Sequence, residues 1–265
     1  MLKLRILTAL VLLPLMLGML FGAGSGLWAA FSGLIALIAL WEYSRLCGMG
    51  PDMQKPYLAG TALFMWLAHA GGWQLPAPAW WGVLGFWLIA MPLWLKNKWR
   101  LRPDWKGMAA GWLLMLPFWF ALTGLRPDSQ DATSLLAVMM LVWVADVFAY
   151  VFGKLWGKRK LAPTISPGKS WEGVAGALIS VVLYMSWARA AGWLGFDMSW
   201  FGTVLVAVLL TATGICGDLL ESWLKRAAGV KDSSSLLPGH GGVFDRVDSL
   251  IAVLGVYAAV LAVFA

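Results

Sequence analysis

Charge is what this sequence has least of. Asp, Glu, Lys and Arg make up 12% of its 265 residues, where a soluble domain carries about 25%. So few charges leave too little polar surface to cover a globule in water, which excludes a soluble fold and makes lipid the solvent for most of the chain. Cysteine is scarce as well: Cys47 and Cys216 have no partner at metal-ligand or CxxC spacing, so thiols carry no functional signal. Clean polar–apolar alternation is missing from every apolar run. Because lipid admits only helices or closed barrels, its absence points to helices. Internal repeats and low-complexity tracts are missing too.

What the chain has in abundance is apolar length. It is 61% hydrophobic with a mean hydropathy of +0.77. Its 19 Trp suit the headgroup boundary, where indole rings sit well. A spanning helix needs roughly 20 mostly apolar residues. Nine runs meet or approach that length, at about 5–24, 26–46, 57–74, 79–95, 107–125, 133–155, 171–194, 198–220 and 247–264. The third and fourth are short and interrupted by Gly and Pro, which leaves eight as the alternative count. The expected fold is an all-α polytopic membrane bundle of about nine helices. Residues 1–24, with Lys3 and Arg5 ahead of an apolar stretch, share features with a signal peptide. The stretch is long for that role and no small-x-small site follows closely, so an uncleaved first helix is expected.

A net charge of +7 and a pI near 9.6 invite a nucleic-acid reading. The placement of the bases excludes it, because they occupy short segments between apolar runs. With a cytoplasmic N-terminus, 18 of the 20 Lys and Arg fall on the inner side, and only Arg126 and Arg189 do not. Positive charge resists translocation, so this asymmetry predicts N-in, C-out.

Two inner segments are unlike ordinary connections. Residues 154–170, KLWGKRKLAPTISPGKS, are basic and carry Pro163, Pro167 and Gly168; residues 221–246 form a long polar stretch. A solvated basic loop beside anionic headgroups would account for either alone. The acids tilt the balance. Asp146 lies mid-run, Asp218 and Glu221 close the eighth run, and Asp245 and Asp248 open the ninth. An Asp at a helix centre costs about 2.5–3.5 kcal/mol on insertion scales, so these groups need partners. Asp218, Glu221, Ser222 and Lys225, spaced i, i+3, i+4 and i+7, share a helical face. Carboxylates beside Lys and Arg at a membrane interface suit a magnesium ion carrying phosphate oxygens. Gly168-Lys169-Ser170 is not a Walker motif, since the required earlier glycine is Pro163. Ser166-Pro167 reads instead as a helix start able to receive phosphate, with Lys169 nearby. His240 reads as a turn residue, and Gly239, Gly241 and Gly242 permit close backbone approach to a phosphate or a neighbouring helix.

The stretch Ser222-Trp223-Leu224-Lys225-Arg226, then Lys231-Asp232, then Leu237-Pro238-Gly239-His240-Gly241-Gly242-Val243-Phe244-Asp245-Arg246-Val247-Asp248 resembles the signature of the phosphatidate cytidylyltransferase family. The pattern holds across all 27 residues. Asp146 with Tyr150 and Gly153, the run from Ser166 to Gly173, and Gly217-Asp218 with Glu221-Ser222 resemble the family's other recurring segments. The likeness is strong over roughly 140–250; over 1–130 it extends only to length and hydropathy.

The resemblance implies transfer of the cytidylyl group of CTP to phosphatidic acid in phospholipid biosynthesis. It implies magnesium, sometimes with potassium, and often a homodimer, in a bacterial inner membrane with the site facing the cytoplasm. The chain is expected to divide into about five N-terminal membrane helices, 1–130, and a catalytic membrane region, 131–265, with cytoplasmic loops 154–170 and 221–246. The resemblance selects Asp218 and Asp245 as metal ligands, supported by Glu221, Asp248 and Asp146. Lys225, Arg226 and Arg246 would take phosphate charge, with Lys169, Lys231, Ser166, Ser222, His240, Gly241 and Gly242 lining the substrate. The residue types alone leave two alternatives open: a related CTP-dependent lipid enzyme with another acceptor, or an ion-coupled transporter.

Overall fold

The computed structural model describes residues 2–194 and 198–264; the side chains of residues 1–5, Lys3 and Arg5 among them, lie outside that description. The apolar runs become α1 (Leu2–Gly22), α2 (Ser25–Leu46), α3 (Pro51–Ala70), α4 (Ala77–Gly85), α5 (Met91–Asn97), α6 (Trp105–Gly124), α7 (Ala132–Trp156), α8 (Trp171–Ala190), α9 (Trp200–Ala227) and α10 (Phe244–Phe264). A π-helical turn, Phe86–Ala90, joins α4 and α5 into one rod, so the described residues form nine rods. Seven are long and apolar enough to cross a membrane; α1 adds a shorter apolar run, Ile6–Gly22. The exception, α3, opens on Asp52, Gln54 and Lys55. The fold is that of a polytopic membrane protein.

Its surface reads accordingly. Leu7, Trp66, Ile89, Leu183 and Phe201 are all exposed on helix flanks, an arrangement that lipid, not water, solvates. Helix α10 is the opposite case. Every residue from 249 to 260 is buried, and α10 packs on α4, α6 and α9. A helix that is apolar all round belongs inside the bundle. Its contact with α9 is close because Gly217 has no side chain: a Cβ there would lie 2.7 Å from the Asp248 carbonyl oxygen and 3.0 Å from Ala252 Cβ. Small residues at such crossings replace the hydrophobic drive that lipid does not supply.

Three local features differ from expectation. Ser166-Pro167 does not begin a helix. Residues Ser166–Ser170 form β2, which pairs antiparallel with β1 (Lys160–Ala162), and α8 begins at Trp171. Ser170 is the cap, its Oγ accepting the Gly173 N–H at 3.2 Å. Pro167 lacks a donor but is tolerated in a two-stranded edge. Second, α9 runs on to Ala227, so Glu221, Ser222, Lys225 and Arg226 are helical and the following loop spans only 228–243. Third, the interrupted fourth run is continuous through its π turn.

The two arginines that broke the charge asymmetry have structural work at their end of the bundle. Arg126, fully buried, donates to the Leu20 carbonyl at 2.8 Å and the Ala23 carbonyl at 2.5 Å, and lies over the Trp28 ring. It thereby satisfies carbonyls that the end of α1 leaves open. Arg189 donates to the Met198 carbonyl at 2.6 Å and lies over Trp200. Both cysteines are free, and burial pushes the Cys47 thiol up to about 12, which keeps it in the unreactive protonated form.

Gly217→Ala should force α9 and α10 apart and cost about 1–3 kcal/mol. Thermal unfolding of the purified protein in detergent reads this directly, and an unchanged midpoint would mean that the crossing has slack.

Candidate active site at the ends of α9 and α10

The last three turns of α9 place Asp218, Glu221, Ser222 and Lys225 along one face, and Asp248 stands one turn into α10. Asp218, Glu221 and Asp248 each offer a carboxylate oxygen, all within 4.8 Å of one another. Two like charges 4 Å apart repel by about 4 kcal/mol at an effective dielectric of 20. Such a trio therefore calls for cations. Two are supplied by the chain: Lys169, from β2, pairs with Asp218, and Lys225 pairs with Glu221 at 2.6 Å. Ser222 Oγ donates to Asp218 at 3.3 Å. Glu221 is 2% exposed, and its Oε1 has no hydrogen-bond partner. An orphaned buried carboxylate oxygen beside two other carboxylates is the mark of a place for a further positive group.

Asp245 is employed differently. Its Oδ1 receives Lys225 Nζ at 2.6 Å; its Oδ2 accepts Ser233 N at 2.9 Å, Ser233 Oγ at 2.8 Å and Gly242 N at 2.7 Å. Four donors fill its lone pairs and bind the 228–243 loop to α10. Facing it from α2 is Glu42, wholly buried, which sequence reasoning did not single out. Glu42 accepts from Ser233 Oγ (3.1 Å), Ser234 Oγ (2.5 Å), Val243 N (3.1 Å) and Phe244 N (2.6 Å). The signal was present: an acid inside an apolar run needs a partner, as argued for Asp146.

The glycine-rich turn is closed by the Leu237 N–H to Gly241 carbonyl bond at 2.8 Å. Gly242 is required because a Cβ would overlap Ser233 Oγ and the Glu42 carboxylate. Its N–H is already given to Asp245. His240 Nδ1 is enclosed beside this turn without a hydrogen-bond partner.

A cavity of about 390 Å³ opens beside the carboxylates, between α7, α8, α9, α10 and β2. Asp146, Ser166, Lys169 and Asp218 line its polar end; Leu141, Val142, Leu210 and Val253 line the rest. The mid-run acid of α7 thus faces a cavity instead of hydrocarbon. An amphipathic cavity suits a ligand with a charged head and an apolar body. Arg226, Lys231 and Arg246 are exposed and form no ion pair among the described residues. The structure therefore gathers Asp146, Ser166, Lys169, Asp218, Glu221, Ser222, Lys225 and Asp248. It sets Asp245, Gly241 and Gly242 in the loop clasp and leaves three cations exposed.

Comparison with known proteins covers nearly the whole chain. The model of the family described as "Cytidylyltransferase family" matches residues 3–264. A phosphatidate cytidylyltransferase of Pseudomonas aeruginosa is 42% identical, over 98% of this chain and 97% of the relative. That of Haemophilus influenzae is 34% identical over 96% of each, and that of Staphylococcus aureus 33% identical over 95% of this chain and 96% of the relative.

Lys225→Met would leave Glu221 and Asp245 buried without their shared counter-charge. Breaking a buried pair from one side costs about 3–5 kcal/mol, so the midpoint in detergent should fall by several degrees. A midpoint equal to that of the unaltered protein would show that the two carboxylates do not depend on this ammonium.

Proposed function

The chain belongs to the cytidylyltransferase family, and from that premise we infer that it transfers the cytidylyl group of CTP to phosphatidic acid, giving CDP-diacylglycerol and pyrophosphate. One observation carries the inference to particular residues: a cluster of three carboxylates and two lysines adjoins an amphipathic cavity, with Asp218 and Lys169 belonging to both. A nucleoside triphosphate needs the charged end, and a lipid needs both.

The acceptor is a phosphate monoester with a second pKa near 6, so it reaches the site already ionised and needs no general base. One of its oxygens bonds to the α-phosphorus of CTP while the bond from that phosphorus to the pyrophosphate oxygen breaks. The electron pair leaves with pyrophosphate, and no proton has to move. The barrier is the meeting of two polyanions, so positioning and electrostatics carry the catalysis. Lys169, held at the cavity by its pairing with Asp218, meets incoming phosphate charge. Arg226, Lys231 and Arg246, exposed and without an ion pair among the described residues, supply more. Lys225 is committed to Glu221 and Asp245 and keeps those side chains in place.

The carboxylate trio fits magnesium, on the evidence of its spacing and of the unpartnered Glu221 Oε1. Asp218, Glu221 and Asp248 would hold the ion, with Asp146 nearby in the cavity wall and Asp245 anchoring the loop behind them. Bound there, magnesium would neutralise phosphate oxygens and the charge that builds on the leaving group.

The same end of the bundle carries the basic segments, so the positive-inside rule places it in the cytoplasm, where CTP is available. The named relatives are bacterial, which supports a bacterial cytoplasmic (inner) membrane as its location.

Asp218→Asn and Asp248→Asn should insert and fold normally yet lose transfer by at least about 100-fold. Purified protein given labelled CTP and phosphatidic acid reads this as CDP-lipid and pyrophosphate. Near-normal turnover in either variant removes that residue from the ion site. Chelation of divalent ions should abolish the reaction in the unaltered protein, and added magnesium should restore it; activity that persists through chelation would exclude the metal.

A further inference from the structure

We propose that Glu42, on α2, is a positioning residue for this reaction: its carboxylate fixes the first turn of α10 and the preceding loop in the register that sets Asp248 against Asp218 and Glu221. The inference rests on the transfer activity inferred above.

The first N–H groups of a helix have no intrahelical partner, and the helix dipole makes that end positive. A side chain from the same segment usually caps them. Here the acceptor comes from another helix, 201 and 202 residues away in sequence from Val243 and Phe244. A buried carboxylate costs several kcal/mol unless its lone pairs are filled. Glu42 has no Lys or Arg partner among the described residues, and all four of its donors come from the 233–244 segment. Its burial is thus compensated only when that loop and the start of α10 are in their observed places.

The contact does not stop there. Ser233 Oγ lies 3.1 Å from Glu42 and 2.8 Å from Asp245, so one hydroxyl serves two carboxylates. Asp245 holds Lys225, and Lys225 holds Glu221. A continuous polar path therefore runs from α2 to the carboxylate trio. A second effect is geometric: Asp248 stands four residues beyond Phe244, one turn along the same helix. The apolar packing of residues 249–260 fixes how α10 sits in the bundle, which leaves its first turn to the Asp245 clasp and the Glu42 contacts together. A displacement of about 1 Å in a catalytic array can cost about 100-fold in rate.

Glu42→Gln keeps the shape and exchanges one acceptor oxygen for a donor. In detergent, E42Q should keep a midpoint within a few degrees of the unaltered protein. Its kcat should fall about tenfold or more, its magnesium requirement should rise severalfold, and its KM for phosphatidic acid should stay unchanged. Amide exchange over Val243 and Phe244 should quicken. A merely structural Glu42 would lower the midpoint while leaving the folded protein's kcat and magnesium requirement as they were, and that result overturns the proposal. Should E42Q not fold, Ser234→Ala, which removes one donor to Glu42 and otherwise frees only the N–H of the exposed Leu236, carries the test: a smaller shift in the same two quantities is expected, and none overturns it. An unaltered protein that makes no CDP-lipid overturns the transfer reading and this inference with it. One that does, beside variants with unchanged turnover and magnesium requirement, overturns this inference alone.

Discussion

Three carboxylates crowded within 4.8 Å of one another are an expensive thing to build in a membrane protein, and much of the C-terminal half is arranged around that cost. Their proximity depends on α9 and α10 meeting backbone to backbone at Gly217. The repulsion is offset from two sides. Lys169 arrives from the hairpin that precedes α8, and Lys225 arrives from one turn further along α9. Lys225 also ties the trio to Asp245, through which the loop and then α2 are engaged. Remove the crowding and most of these polar contacts would have no purpose.

Polar groups elsewhere follow the same economy. Arg126 and Arg189 sit at the other end of the bundle, where they satisfy chain carbonyls and lie on tryptophan faces. Trp94 and Trp223 both donate to the Trp99 carbonyl at 2.8 Å, which pins the basic connection after α5 to the end of α9. Lipid offers no hydrogen bonds, so a polar group kept in the bundle is kept for packing, capping or chemistry.

Much of this was legible in the sequence, because lipid imposes a simple rule. Twenty apolar residues make a helix, and all nine runs became helical rods. The i, i+3, i+4, i+7 spacing from Asp218 to Lys225 put those groups on one face, since helical geometry leaves no other choice. Other details were not legible. Ser166-Pro167 has the composition of a helix start, and only the strand pairing of Ser166 with Ala162 moves the cap to Ser170. Asp218 and Asp245 look equivalent as acids near helix ends. What distinguishes them is who donates to each, and that depends on a loop whose path no spacing rule predicts. Glu42 announced a need for partners, but which ones was hidden for a related reason: they lie some 200 residues away in the chain.

The burial of α10 bears on how such a molecule is assembled. Ribosomes deliver α2, α4 and α6 to the bilayer before α10, yet α10 lies against all three. Those earlier helices must therefore wait with a vacant slot, or close around one another and reopen. Until the latecomer seats itself, Asp248 is absent from its place and Glu42 lacks the Phe244 N–H. The carboxylate trio is therefore complete only once α10 has docked.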